Sequence, residues 1–486
     1  MFSEKITPKR IITDMLRKAL DAIANFTGPL SDLSQKRIID LGTYTKKYYY
    51  YIFIVIIILA ALFRFYHLER KTFHHDEALY AKYSYDYSKY GNHTYNPLMH
   101  GPFLFIVNGN IMRIFGASDY TARILPALCG LLMVVLCMFM HNELGHGGSI
   151  IAAIFFALSP HFVYYTRFLR MDPPFVFFTF LSVVLLVKYL YNKKLWIFVS
   201  AMISLAVTFS IKENAYLHTI EFISFIMLIP VYRIIIARDL TLHDLMKHCI
   251  DFIKKHWMSI IVGVFAFIFV FVLFYTTLFS LPSSAGGRNI FVRIASHVSY
   301  AAGCIKRAWT YWLNQNEIQR VRGEYHYFYW RMFMYEIMMV IGVLISIYQI
   351  FRSKKKELYV YLGITAFLFI LFLIIGTNEL PAYKIAGPYK NIQDFPDAMK
   401  SMSFIFLFLA RMHMECWGHP ILFIYITMTG FWGIFILFRE RKWYPAFLLY
   451  WSMFSLLMYS YLGEKVAWLG IHIYLPMILL LAYYAK

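Results

Sequence analysis

Charge is scarce in this sequence. Only 15% of residues are Asp, Glu, Lys or Arg, where a soluble domain carries roughly 25%. Long polar stretches are missing too. After residue 47 nearly every segment is a hydrophobic run or a short connector, which leaves nothing to build a separate soluble domain. Cysteine is sparse and scattered, at Cys129, Cys137, Cys249, Cys304 and Cys416. None stands in a CxxC pair, so neither a zinc ribbon nor a dithiol redox motif is indicated. Cys304 and Cys416 are expected as separate thiols. No cleavable signal peptide is expected either. The first hydrophobic run begins near Tyr48, too far from Met1 and too long for a signal core, and reads as a signal anchor. No internal repeat or low-complexity segment is apparent.

What is present is hydrophobic sequence: 60% of the 486 residues, with a mean hydropathy of +0.55. A membrane span needs about 20 apolar residues. Runs of that order lie near 48–66, 120–140, 149–166, 174–191, 195–211, 215–236, 257–280, 333–351, 357–376, 419–438, 443–461 and 466–484. The fold class is therefore all-α, a polytopic membrane protein with about 12 transmembrane helices. The net charge of +20 does not indicate nucleic acid, because the basic residues sit in small groups at the ends of these runs. That is the positive-inside pattern.

Residues 1–47 form a cytoplasmic basic segment in which Ile11, Ile12, Met15, Leu16, Ala19, Leu20 and Ile23 recur at helical spacing. An amphipathic helix on an anionic membrane surface fits this pattern, and a floppy basic tail is the alternative reading. With the N-terminus inside, Lys193–Lys194, Arg238–Lys255, Arg352–Lys356 and Arg439–Lys442 all fall inside as well. The rest, 48–486, is a single transmembrane domain with exofacial loops at about 67–119, 281–331 and 377–418. In the third, 402–412 is apolar but too short to span and is expected to be re-entrant or interfacial. In the first, a helix is expected from Asp76 to Tyr90, ended by Gly91-Asn92. A second, interfacial helix should run from Pro102 to about Phe115.

The chemistry-bearing residues gather on the outer side. His74-His75-Asp76-Glu77 opens the first loop helix, where carboxylates also suit the positive end of the helix dipole; plain capping is the alternative role. Arg167, Arg170 and Asp172, followed by Pro173-Pro174, make a charged corner between two spans. Lys212-Glu213 and Glu464-Lys465 lie at further outer ends, and the loop 281–331 adds Glu317, Arg320 and Arg322. Exposed ion pairs alone would mean little. Their convergence on one face suits an anionic lipid headgroup, with phosphate held by Arg or Lys. The matching reaction moves a group from a lipid phosphate to a hydroxyl, using a carboxylate as general base and cations to stabilise the departing phosphate.

In these motifs the chain resembles the GT-C superfamily of polytopic glycosyltransferases, whose better-known members include protein O-mannosyltransferases and lipid A aminoarabinose transferases. The likeness rests on His75-Asp76-Glu77-Ala78-Leu79-Tyr80-Ala81, on Pro97-Leu-Met-His-Gly-Pro102-Phe, and on the Phe115 to Leu128 stretch with Asp119, Arg123 and Pro126. The Arg170-Met-Asp172-Pro173 corner continues it. More closely the chain looks like an archaeal and bacterial subfamily labelled flippase-activity-associated, through Trp312 to Gly323, Tyr335-Glu336 and Gly463 to Leu469. The resemblance implies Asp76 as catalytic base, with Glu77 positioning donor or acceptor. His75, His100, Arg167, Arg170, Asp172, Lys212, Glu213, Glu317, Arg320, Arg322, Glu464 and Lys465 are then the substrate-binding candidates.

Where relatives often carry a lysine or a second proline, this chain has His100 and Gly101, which leaves substrate specificity open. The implied partners are a polyprenyl-phosphate sugar donor, a lipid, glycan or protein acceptor, and membrane lipids. No nucleic acid is implied. The site would face the non-cytoplasmic side of the cell membrane. The resemblance fixes no cofactor, since some members of the superfamily work without metal. A divalent ion, manganese or magnesium, on His75, Asp76 and Glu77 is the second expectation. A non-catalytic protein that moves or presents glycolipid is the alternative function.

Overall fold

A computed structural model describes residues 45–278, 290–318, 327–352, 354, 356–360, 363, 420–462 and 464–485. The chain divides at Val55 into two compact units, and the residues that build the site all belong to the larger one, from Ile56 onward. The described residues are helical, with no strand among them. In chain order the helices are α1 (Tyr49–Phe65), α2 (His75–Tyr90), α3 (Phe103–Phe115), α4 (Asp119–Met138), α5 (His141–Leu158) and α6 (Pro160–Thr166). Next come α7 (Asp172–Asn192), α8 (Leu195–Ile211), α9 (Asn214–Val231), α10 (Leu242–Tyr275) and α11 (Ile290–Ile318). The last are α12 (Tyr327–Tyr335), α13 (Ile337–Arg352), α14 (Pro420–Arg439), α15 (Trp443–Tyr461) and α16 (Gly470–Tyr484).

The protein is a multi-pass membrane protein. Among the described residues five helical segments are long and apolar enough to cross a bilayer, or six if the bent pair α5–α6 counts as one span. Several of the twelve expected runs appear as shorter apolar helices, such as Leu195–Ile211 and Ile337–Arg352. Most of the run 357–376 lies outside the described residues, as do 1–44, the re-entrant candidate 402–412 and the whole stretch 377–418.

Side-chain placement follows the solvent. On α9 and α10, Ile223, Ile226, Met227, Ile261 and Phe265 are exposed, the outward apolar surface that lipid would cover. α16 is the opposite case, with every residue from Gly470 to Ala482 buried. A helix apolar all round needs neighbours all round, and α16 packs against α5, α7, α13 and α15. Its approach to α5 depends on Gly148, where a Cβ would come within 2.4 Å of the Ala482 carbonyl oxygen.

Both helices expected between residues 67 and 119 form where the sequence places them. α2 begins with a capping box: the Glu77 carboxylate accepts the His74 N–H while His74 Nδ1 accepts that of Asp76. It ends at Gly91, whose φ of 69° suits the left-handed cap. α3 is more enclosed than an interfacial helix, because Phe103, Leu104, Phe105, Ile106 and Met112 are buried. The segment 281–331 holds α11, a 29-residue helix where only a connector was expected. Ala301, Cys304 and Ala308 on one face of α11 join Phe271, Val272 and Tyr275 of α10 in a common apolar cluster.

Candidate functional site

The start of α2, the corner 167–172 and the first turns of α16 meet in one network. Asp76 pairs with Arg170 through Nη1. Arg170 Nε lies 3.4 Å from Asp172 Oδ2, and its guanidinium sits 3.6 Å from the centre of the Trp468 ring. Asp172 also accepts from Lys212 Nζ at 2.8 Å and from His472 Nε2 at 3.0 Å. Burial works against the Arg170 charge, yet Tyr80, Asp172 and Asp76 around it hold its pKa above the ordinary value. The guanidinium therefore stays cationic throughout the physiological range.

The carboxylates differ in access. Asp76 keeps 32% of its side-chain surface, whereas Asp172 keeps 1% and Glu77 none. Glu77, expected beside the reacting atoms, faces inward. Its Oε1 accepts from Arg123 Nε at 2.8 Å and from the Leu169 N–H at 2.9 Å. Its Oε2 accepts from Arg123 Nη2 at 3.1 Å and from the His74 N–H at 3.1 Å. With both oxygens taken, Glu77 is not open to substrate, nor free to complete a metal set with His75 and Asp76. Among the described residues no three His, Cys, Asp or Glu side chains converge as metal ligands.

A second group adjoins the first through the neighbouring residues Lys212 and Glu213. His100 Nδ1 donates to Glu213 Oε2 at 2.7 Å, and the imidazole stacks on Trp312 at 4.8 Å. His100 holds φ at 63°, uncommon for a residue with a Cβ and a mark of constraint by its surroundings. Gly101 follows because the chain presses on the end of α8. Its N–H donates to the Ile211 carbonyl at 3.0 Å, and a Cβ there would stand 2.1 Å from the Ser210 oxygen.

The remaining candidates take other places. Arg167 donates to the carbonyls of Phe63, Tyr66 and His67 at the end of α1, at 2.5, 2.9 and 3.0 Å. It also lines an open cavity of about 300 Å3 with Tyr66, His67, Arg70 and Lys71. Lys465 is buried and donates to the Tyr459 and Ser460 carbonyls at 3.1 and 2.6 Å, and to that of Leu462, so it closes the end of α15. Glu464 precedes it and is half-buried, and His75 is exposed on the first turn of α2. The Glu317 side chain, Arg320 and Arg322 lie outside the described residues.

Sequence reasoning missed His472, a lone imidazole inside the last apolar run, and the pair His218 and Glu221 on α9. His218 Nδ1 donates to Glu221 Oε2 at 2.8 Å, Ser455 donates to Glu221 Oε1 at 3.1 Å, and the Tyr459 hydroxyl lies 3.2 Å from His218 Nε2. The available signal was polarity inside a span: an ionisable residue within an apolar run marks function or a buried partner.

The family described as dolichyl-phosphate-mannose-protein mannosyltransferase matches residues 99–250. No curated protein sequence matches the chain. Among solved structures, the ArnT of Cupriavidus metallidurans bound to undecaprenyl phosphate is 13% identical with a TM-score of 0.43, over 89% of this chain and 77% of that one. The oligosaccharyltransferase AglB of Archaeoglobus fulgidus, in complex with an inhibitory peptide and a dolichol-phosphate, is 12% identical with a TM-score of 0.45. That similarity covers 91% of this chain and 50% of AglB, so the chain spans half of that protein's length. Across residues 99–250, which include His100, Arg170, Asp172 and Lys212, the chain carries the pattern of the dolichyl-phosphate-mannose-protein mannosyltransferase family, and the likeness to the GT-C superfamily holds there.

Proposed function

We propose that this chain is a membrane glycosyltransferase that moves a sugar from a polyprenyl-phosphate-linked donor to an acceptor hydroxyl, on a lipid, glycan or protein, at the non-cytoplasmic face of the cell membrane. The observation that carries this reading is the row Asp76, Arg170, Asp172 and Lys212, in which an accessible carboxylate stands beside a buried, permanently charged guanidinium. The family matched over 99–250, whose description names a dolichyl-phosphate-linked sugar, supports the donor class.

Each residue then has a task. Asp172 and Lys212 compensate one another, so the Arg170 charge is left for Asp76 and for an incoming phosphate. A donor phosphate that shares Arg170 loosens its hold on Asp76, and the freed carboxylate accepts the acceptor's hydroxyl proton. The acceptor oxygen attacks the sugar's anomeric carbon from the face opposite the phosphate, which inverts that centre. The carbon–oxygen bond to phosphate breaks and its electron pair leaves on the phosphate, where Arg170 offsets the growing charge. Glu77 acts through position, holding α2 to the corner that bears Arg170. The open cavity beside Arg167, with Arg70 and Lys71 in its lining, has the charge to attract an anionic headgroup.

One observation favours a second reading. Glu221 and His218 are buried within the apolar span that begins at Asn214, and transporters place ionisable groups inside the bilayer. A glycolipid transport accessory is that reading. Purified protein in proteoliposomes, supplied with dolichyl-phosphate-mannose and a hydroxyl acceptor, separates the two: product formation supports the transferase, and movement of intact glycolipid between leaflets without product supports the accessory.

A further inference from the structure

Next to this network lies a polar group that the transfer chemistry leaves unused. Glu336 stands at the break between α12 and α13 and is 4% exposed. Its Oε1 accepts from the Ser159 hydroxyl at 2.5 Å and the His161 N–H at 3.0 Å, and lies 3.4 Å from His161 Nδ1. Both residues belong to the 56° bend between α5 and α6. Across the same imidazole, His161 Nε2 is buried without a hydrogen-bond partner, and so is the Tyr474 hydroxyl, although the two rings meet edge-on at 4.8 Å. Tyr165 and Tyr335 flank His161 at 5.6 and 5.5 Å, and Tyr335 is half exposed.

This group borders the Arg170 network. Arg170 and Arg331 both lie within electrostatic reach of the Tyr165 hydroxyl. The turn Ala467–Leu469 and the start of α16 link the two sets, because Trp468 covers Arg170, His472 donates to Asp172 and Tyr474 meets His161. Buried polar atoms without partners are costly, and native structures keep few of them unless a ligand or water completes the set. The chemistry here selects among ligands. A lipid tail would leave the nitrogen and the hydroxyl unpaired, and the Glu336 carboxylate repels phosphate. A sugar ring carries the complementary groups: hydroxyls that donate to the imidazole nitrogen and accept from the tyrosine, and carbon–hydrogen faces that suit aromatic rings.

We propose that His161, Tyr474 and Glu336 form a hydroxyl-binding subsite for the sugar ring of the lipid-linked donor, beside the arginine that meets its phosphate. The identity of the ligand rests on the transferase reading of the neighbouring site. The subsite explains why His161 Nε2 on α6 and the Tyr474 hydroxyl on α16 are kept without protein partners.

Tyr474→Phe tests it, because the substitution removes only a hydroxyl that no protein group uses. Binding of dolichyl phosphate and of dolichyl-phosphate-mannose is measured for wild type and variant in detergent, with thermal unfolding alongside. The expected result is an unfolding midpoint as high as wild type or higher and unchanged affinity for the bare lipid phosphate. Affinity for the mannose-bearing lipid falls by roughly tenfold, the size of one lost hydrogen bond. If Tyr474→Phe binds both lipids as wild type does, the orphaned atoms hold a buried water only and the subsite is overturned. Wild-type protein that does not distinguish the two lipids overturns it as well, whatever the transfer assay gives. Selective binding of the mannose-bearing lipid by a wild type that transfers nothing supports the subsite and removes the transferase reading alone.

Discussion

Glu77 accepts the backbone N–H of Leu169 at 2.9 Å, which ties the helix bearing Asp76 to the residue just before Arg170. Arg123 completes the tie with two further bonds to the same carboxylate and reaches the Leu68 and Lys71 carbonyls at 3.0 and 2.8 Å. The spacing of the proposed base and the guanidinium is thus set by a buried ion pair that substrate does not touch. Displacement of about 1 Å in such a constellation can cost on the order of a hundredfold in rate.

Arg123→Ala should therefore destabilise the protein, not merely slow it. Both partners are essentially without exposure, and removing one leaves a buried charge uncompensated, at a cost of about 3–5 kcal/mol. Thermal unfolding in detergent checks this. A midpoint equal to wild type would show that the pair does not hold the loop.

Acid should weaken the fold through His93. Burial pushes its pKa down to about 4 from the ordinary 6.5, and its ring packs on Phe105. The folded protein keeps this imidazole neutral, while the unfolded chain binds a proton below about 6.5. The contribution is present in full above pH 6.5 and lost progressively down to about 4, at most about 3 kcal/mol. His93→Phe should flatten the fall in unfolding midpoint over that window. An equal acid slope in the variant would assign the effect elsewhere.

Topology is open to a direct count. With Cys249 and Cys416 replaced by serine, single cysteines beside Asp76, Arg170, Gly323 and Glu464 should react with an impermeant thiol reagent from outside, and those beside Lys194 and Lys355 should not. Protection beside Glu464 would mean that 402–412 crosses the membrane, and would move that end of the chain to the other face.

Transfer should persist after chelation. Both Glu77 oxygens are engaged by protein donors, so the sequence-adjacent trio with His75 and Asp76 is not assembled as ligands. Activity lost with chelator and restored by manganese or magnesium would recast Asp76 as a ligand.

The helices were legible because their signals are local. Apolar length marks the spans, and the Asp76-Glu77 pair and Gly91 mark the ends of α2. The grouping of the charged residues was legible in part. Asp76, Arg170, Asp172 and Lys212 do meet, but Glu77 and Lys465 proved to be bound to the protein itself. Sequence position cannot tell a carboxylate turned to solvent from its neighbour turned inward, since adjacent residues on a helix face different ways. α11 was missed although Ala301, Cys304 and Ala308 stand at helical spacing, because small residues make a weak stripe. His472 was missed because its partner Asp172 is 300 residues away.

The central claim is that Asp76 takes the acceptor's proton, and Asp76→Asn tests it most directly. The substitution keeps size and hydrogen-bonding capacity and removes basicity. In proteoliposomes with dolichyl-phosphate-mannose and a hydroxyl acceptor, transfer should fall by about 10²–10⁴-fold while binding of dolichyl phosphate persists. Near-normal transfer by Asp76→Asn would contradict the account, because a carboxylate that can be neutralised without loss is not the base.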